Sequence, residues 1–167
     1  MLRSGSPRAQ GRVLMLCLLG AMVALGAGCS GHAHERINQR EYAPYRSPGQ
    51  ATIDGQVVMT LSSGITFYGA ACQVRLSPVT SDSMNYIQEV AMKGGHKQWK
   101  NDADAVWWLA QANDEGRFRF TEVPSGSYYL TCPVAWRDPT TGETKQRVLW
   151  AETTVAGEDT STVSVSR

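Results

Sequence analysis

Apolar and polar residues alternate along much of the chain, which is the pattern of β-strands that bury one face. The clearest stretch covers residues 117–130, in which Phe118 and Phe120 alternate with polar residues and Tyr128 continues the alternation. A Pro- and Gly-containing segment at 123–126 interrupts it with the residues that β-turns favour. We therefore predict an antiparallel hairpin, with two strands joined by that turn.

Similar runs flank this hairpin and predict further strands. They cover residues 51–61, 65–68, 72–77, 146–155 and 161–166. A more ambiguous run at 105–113 leads directly into the turn at Asp114, so we assign it as the strand that pairs with 116–123. About seven short strands separated by turn signals predict an all-β fold, an antiparallel Greek-key sandwich.

Two residues inside these strands predict local features. Gly55 falls on the inward face of the first strand, where a glycine permits the close approach of an aromatic ring or another backbone. Pro133 has no N–H to donate to a neighbouring strand. The strand that continues after Cys132 is therefore expected to be bulged or at the edge of a sheet.

Residues 81–104 interrupt the strand pattern and form a long insertion. Their first part predicts one short helix with an apolar face made of Met84, Ile87 and Ala91. We expect Asp82 or Ser83 to cap its start and Gly94-Gly95 to terminate it. A long connection of this kind in a small β domain is usually functional or mobile.

The first 28 residues have the pattern of a secretory signal peptide. Three arginines precede an apolar run of roughly 13 residues, which is too short for a comfortable transmembrane helix. The small residues before Cys29 are similar to the cleavage motif of bacterial lipoproteins. This resemblance implies lipidation of Cys29, and Ser30 after it favours the outer membrane of the cell envelope. An ordinary secreted protein is the alternative.

Residues 29–50 are polar and show no periodicity, so we predict a flexible tether between the lipid anchor and a domain at 51–167. His32 and His34 lie in this tether. A metal site would need more ligands on a rigid frame. We interpret both histidines as solvated linker residues and expect no metal ion and no cofactor.

The cysteines predict one disulfide bond. Cys17 lies in the leader and Cys29 is the lipidation candidate, which leaves Cys72 and Cys132 in an oxidising compartment. A metal pair or a catalytic thiol is the alternative, but neither cysteine has a nearby His or a CxxC spacing. We expect the bridge to pin the return strand of the hairpin to the Cys72 strand across the core.

Charge and motifs exclude some classes of function. The 16 basic and 15 acidic residues are nearly balanced and form no basic patch, so nucleic acid is not an expected partner. No Ser-His-Asp order, HExxH motif or carboxylate pair is legible. We therefore predict that the protein is not an enzyme.

Several short motifs resemble the carboxypeptidase regulatory-like domain. They are Ile53-x-Gly55-x-Val57, Val74-x-Leu76-x-Pro78 and Asp114-x-Gly116-x-Phe118-x-Phe120-x-x-Val123-Pro124-x-Gly126-x-Tyr128-x-Leu130. That family has a transthyretin-like, seven-stranded sandwich close to the Cna protein B-type modules. The resemblance implies a structural, adhesive or ligand-presenting module of the cell envelope, without catalytic residues.

Two functions remain open at this point. The first is a lipid-anchored, non-enzymatic envelope lipoprotein whose sandwich is structural or binds a protein partner. The alternative is a carbohydrate-binding module of the envelope, or an accessory lipoprotein of a secretion apparatus. For glycan binding, the candidate ring platforms are the five tryptophans, Trp99, Trp107, Trp108, Trp136 and Trp150, of which we single out Trp99 and Trp136. Trp99 is the best exposed candidate, because its sequence neighbours are Lys97, Lys100 and Asn101. The alternative for each ring is a place in the core, which is the commoner role of aromatic residues in a small β domain.

Overall fold

The computed structural model describes residues 37–94, Trp99 and residues 105–166. Eight strands form two four-stranded sheets, which pack face to face as a sandwich. This confirms the all-β prediction, with eight strands where about seven were expected. The strands are β1 Ala51–Thr60, β2 Thr66–Tyr68, β3 Gln73–Pro78, β4 Trp108–Gln111, β5 Arg117–Val123, β6 Gly126–Arg137, β7 Thr144–Val155 and β8 Thr160–Val165.

The first sheet is built around β1. Strand β5 pairs with its first half in the antiparallel direction, β2 pairs antiparallel with its last residues, and β8 runs parallel along its other edge. The second sheet has the order β4-β3-β6-β7 and is antiparallel throughout. Strands β4 and β5 therefore each end a sheet.

The predicted hairpin is wrong in its pairing. Strand β5 pairs with β1 and strand β6 pairs with β3 and β7, so the turn at 123–126 carries the chain from one sheet to the other. Strand β4 likewise pairs with β3 and not with β5. Alternating apolar and polar residues indicate that a strand buries one face, but they do not identify its partner. Two strands in opposite sheets of a sandwich show the same alternation as two strands paired in a hairpin.

The core lies between the sheets and is aliphatic and aromatic. Its largest fully buried side chains include Tyr128, Ile53, Leu76, Leu130, Leu149 and Val57. Gly55 faces inward below the ring of Phe118, and a Cβ at this position would overlap that ring. The expectation of a close aromatic approach at Gly55 is confirmed.

The predicted disulfide joins Cys72 to Cys132, with Cα atoms 6.3 Å apart. It does not span the core, however, because Cys72 immediately precedes β3, and β3 is a neighbour of the Cys132 strand, β6, in the second sheet. Strand β3 pairs with β6 as far as Thr131. Pro133 lies beyond that point, where β6 pairs only with β7, so it occupies the predicted sheet-edge position.

The insertion begins with helix α2, Ser81–Tyr86, and continues as a π-helical segment, Ile87–Met92. Thr80 caps the helix in place of the predicted Asp82 or Ser83, because Ser83 is the third residue of a capping box that bonds back to the Thr80 backbone. Of the predicted apolar face, Ile87 is buried and Ala91 packs against the same cluster, but Met84 is exposed. Tyr86 and Val90 complete the buried face. These residues pack on Tyr129, with Val148 and Trp150 alongside, and cover the outer face of the second sheet.

Residues 37–50 are packed onto the sandwich, although they belong to the segment expected to be a flexible tether. They form helix α1, Gln39–Tyr42, and a 3₁₀ turn, Ala43–Tyr45, and they bury Ile37 and Tyr42. The packed domain thus begins before Ala51, and the rest of the expected tether lies outside the described residues. Within the described part of the chain, no helix has the length and apolarity to cross a membrane.

Candidate functional site

Trp99, a predicted ring platform, is already occupied by other side chains. Its indole stacks on Tyr86 with ring centroids 3.8 Å apart, and the Arg75 guanidinium lies 4.9 Å from its centroid. The ring is half-buried and belongs to the apolar cluster that holds the insertion on the sheet. Trp99 therefore contributes to the packing of the insertion against the second sheet.

Trp107, immediately before β4, is the exposed member of the same stack. The Arg75 guanidinium lies 4.3 Å from its ring centroid, within the range of a cation–π contact. Burial lowers the pKa of Arg75, but a guanidinium remains protonated at any ordinary pH. Trp107 is still 37% exposed, so Arg75 orients the indole and leaves part of it open to solvent.

A groove of about 470 Å³ runs beside Trp107, between the end strands of the two sheets. We call it the Trp107 groove. Its aromatic residues are Trp107, Trp108 and Tyr45, and its polar residues are Arg46, Ser47, Thr121 and Glu122. The volume lies within the range of small-ligand sites, which is roughly 300–1,000 Å³.

Buried Tyr128 fixes two of the groove's aromatic rings. Tyr45 and Trp108 both meet it edge to face, with centroid distances of 5.5 Å and 5.9 Å. The Tyr128 hydroxyl donates to the Pro124 carbonyl at 2.6 Å, and burial raises the pKa of Tyr128. Gly126 leaves room for the Tyr45 ring, which a Cβ there would overlap. The rings are thus held in place without a ligand.

The polar side of the groove comes from a β-bulge in β5. Ala51 and Ile53 of β1 pair with Val123 and Phe120, so the β5 segment between them holds one extra residue. Glu122 in this bulge has φ of 56°, which is uncommon for a residue other than glycine. Bulges of this kind redirect side chains near functional sites. The sequence carries no signal for it, so sequence analysis missed Glu122.

The residues of the Trp107 groove suit binding better than catalysis. Rings pack against the C–H faces of a ligand, while a carboxylate, a guanidinium and hydroxyl groups bond to its polar edges. Glycoside hydrolysis usually needs two opposed carboxyl groups, and Glu122 is the one acidic residue among those that line the groove. Among the described residues, no cluster of three His, Cys, Asp or Glu side chains is placed to hold a metal ion.

Trp136, the other predicted platform, lies far from Trp99 in the fold. It is half-buried near the end of β6 and borders a depression of about 550 Å³. The structure therefore does not bring the two predicted tryptophans together, and Cys29 lies outside the described residues. Trp150 lies in the apolar cluster below the insertion.

A larger depression of about 830 Å³ is lined by residues of β1, β5 and β8 and by Gln111 of β4. Its charged groups are already paired. Arg119 donates twice to the Asp54 carboxylate, at 2.5 Å and 2.9 Å, and Arg117 lies 3.0 Å from Glu115. The Arg119 hydrogen bonds lower the pKa of Asp54. Phe118, the aromatic residue that lines it, is buried, so this surface offers no ring platform.

Comparison with known proteins gives a structural relative. A crystal structure from Pseudomonas aeruginosa, described as "a putative carbohydrate binding protein (PA1324)", matches with a TM-score of 0.62 and 25% sequence identity. The match covers 78% of this chain and 97% of that one. No protein-family model and no curated protein matches. The sandwich is therefore similar to that of PA1324, and the carboxypeptidase regulatory-like resemblance stays a prediction.

Proposed function

We propose that the protein is a non-enzymatic carbohydrate-binding module and that the Trp107 groove is its ligand site. The observation that carries this is the exposed indole of Trp107, oriented by Arg75 at 4.3 Å beside a groove with further rings and polar groups. Binding energy is best used when the rings are fixed beforehand, because little side-chain entropy is then lost on association. The similarity of the sandwich to PA1324 supports the same ligand class.

This proposal reverses the order of the two functions drawn from the sequence. The sequence alone favours a structural or protein-binding role, but aromatic rings, hydroxyls and a carboxylate around one open groove fit a saccharide more specifically. The cellular place that goes with it is the envelope, with a lipid on Cys29 as the proposed anchor. A module of this kind would hold an envelope or extracellular glycan close to the membrane.

The test is a glycan array followed by calorimetry on the best glycan. We expect Trp107→Ala to weaken its binding by about tenfold or more, as is usual for a central aromatic contact. Leu109→Ala is the matched control, since Leu109 is an exposed apolar residue of the adjoining strand that does not line the groove. Equal affinity in Trp107→Ala and the unaltered protein would contradict the proposed site.

A further inference from the structure

The paired ends of β6 and β7 extend past the part of the sheet that β3 covers. The two strands pair continuously from Gly126 with Val155 to Arg137 with Thr144, whereas β3 pairs with β6 no further than Thr131. Side chains alternate between the two faces of a strand, and Cys132 and Leu149 are a buried pair. The side chains two and four positions beyond them therefore point the same way as this pair. This extension therefore has an inner face that continues the core face.

That inner face carries cationic residues where a core face would carry apolar ones. Trp136 pairs with Lys145, and Val134 pairs with Arg147, in the register of β6 and β7. Trp136, Lys145 and Arg147 line the depression of about 550 Å³, opposite residues 59–62 at the end of β1. We call this depression the hairpin cradle. The other polar residues that line it are Thr60, Ser62 and Gln146.

The Arg147 guanidinium gives the cradle its positive charge, because the charge of Lys145 is balanced by an ion pair with Asp138. None of the eight residues that line it is acidic, while Lys145 and Arg147 are cationic. Lys145 bonds to Asp138, a neighbour outside the cradle, and this raises the pKa of Lys145. The Trp107 groove, in contrast, is lined by one arginine and one glutamate. The two sites therefore differ in charge while sharing an indole and hydroxyl groups.

We propose that the hairpin cradle is a second saccharide site and that it selects sugars bearing a carboxylate, as in uronic acids. Trp136 would pack against the sugar ring, and Arg147 would bond to the carboxylate, the pairing for which a guanidinium is best shaped. Ser62 supplies a hydroxyl on the opposite wall. The ligand class rests on the proposed function, but the site and its selectivity for charge are separate from the Trp107 groove.

Inward-pointing charges also have a structural use. Strand β7 ends the second sheet, and a charge that points inward from an end strand discourages pairing with another molecule. In that case the cations would prevent association and bind nothing. The two roles are separated by measuring ligand binding and self-association on the same variants.

The experiment is calorimetry of the full chain with an oligogalacturonate and with its methyl-esterified form, which keeps the rings and removes the charges. We expect the acidic form to bind about tenfold or more tightly than the ester and to weaken as salt is raised. Arg147→Gln should abolish most of that preference, and Arg147→Lys should retain part of it. Lys93→Gln, which removes an exposed lysine that does not line the cradle, should leave it unchanged.

Equal binding of acid and ester by the unaltered protein overturns the proposal, whatever the variants do. A preference for the acid that survives Arg147→Gln also overturns the proposal. The same holds if the Arg147→Gln protein self-associates and still binds the acid as tightly as the unaltered protein. Trp107→Ala makes the two proposals distinguishable. This variant should lose binding to the glycan of the Trp107 groove and keep the preference for oligogalacturonate over its ester. Each proposal can therefore be refuted without refuting the other.

Discussion

At the scale of single residues, the tightest steric constraint is the contact of Gly55 with Phe118. The glycine lies on the inner face of β1, and the ring takes the space that a side chain would fill. Interiors are packed closely enough that one added methyl group must displace its neighbours. The Phe118 ring also meets Phe120 edge to face, with centroids 5.7 Å apart, so a displacement would pass along β5.

Gly55→Ala should therefore destabilise the protein by about 1–3 kcal/mol, the usual cost of overpacking a core. The measurement is urea unfolding followed by tryptophan fluorescence. Thr60→Ala, at the exposed end of the same strand, is the control and should stay within about 0.5 kcal/mol of the unaltered protein. A neutral Gly55→Ala would show that Phe118 can move aside freely.

Residue-scale features were predictable where they depend on local sequence. The role of Gly55 follows from its position alone, because a glycine that faces inward from a strand leaves a space that a neighbouring ring or backbone can fill. The exposure of the tryptophans was not predictable, because it depends on distant partners. Trp99 has charged sequence neighbours, yet it folds onto Tyr86, whereas Trp107 keeps an open face beside Arg75. The local sequence around each tryptophan does not indicate the contact of Trp99 with Tyr86 or that of Trp107 with Arg75.

At the scale of elements, helix α1 is fastened to the start of helix α2. The Glu41 carboxylate accepts hydrogen bonds from the Ser81 backbone N–H at 2.5 Å and from the Ser81 hydroxyl at 3.1 Å. Thr80, the N-cap of α2, also donates to the Tyr42 hydroxyl at 3.1 Å. These bonds tie residues 37–50 to the insertion, so the two elements support each other.

This fastening should depend on pH. The backbone bond from Ser81 lowers the pKa of Glu41 from its ordinary value of 4.5. A lowered pKa in the folded state means that the stabilisation is present above pH 4.5 and is lost as pH falls through the folded-state pKa. We expect amide hydrogen exchange in residues 37–50 to accelerate below about pH 4.5 relative to the core strands.

The matched variant is Glu41→Gln, which keeps the size of the side chain and removes its titration. Exchange in residues 37–50 should be faster in this variant at neutral pH and should show a smaller further increase on acidification. Exchange of the core strands serves as the internal reference, since those amides open only with larger parts of the fold. A segment that stays equally protected in acid and at neutral pH would contradict the role of Glu41.

Strands were more predictable than the contacts between them. The predicted strands at 51–61, 146–155 and 161–166 match β1, β7 and β8 closely. A strand that buries one face needs alternating apolar and polar residues, so the sequence shows it directly. The alternation could not predict which strand pairs with β5, since connections between sheets and hairpins use similar turn residues. Residues 37–50 were missed because a 3₁₀ turn and a single helical turn are too short to show a period.

At the scale of the whole molecule, the disulfide holds two neighbouring strands of one sheet. It closes a loop with a sequence separation of 60 residues, which contains the insertion, β4 and β5. Closing such a loop restricts the unfolded chain and stabilises the fold by about 4 kcal/mol in the chain-entropy model. The bridge also anchors β6 beside β3 just before Pro133, where β3 pairing has ended.

Reduction of this bridge, or the pair Cys72→Ser with Cys132→Ser, should lower the free energy of unfolding by about 4 kcal/mol. The measurement is denaturant unfolding with and without reductant, and the double variant should be insensitive to reductant. Circular dichroism of the reduced protein at low temperature checks that the sandwich persists. A loss well under about 1 kcal/mol would show that the unfolded chain is already compact without the bridge.

The parallel pairing of β1 with β8 has a consequence for how the protein is made. The first strand of the sandwich takes one of its neighbours from the last strand along the described residues, Thr160–Val165. Contacts between distant parts of a chain form slowly, because a long loop must close before they stabilise anything. During synthesis, the first sheet thus cannot be completed until β8 has emerged. A chain stalled short of Thr160 would leave one side of β1 without a partner and open to pairing with other unfinished chains.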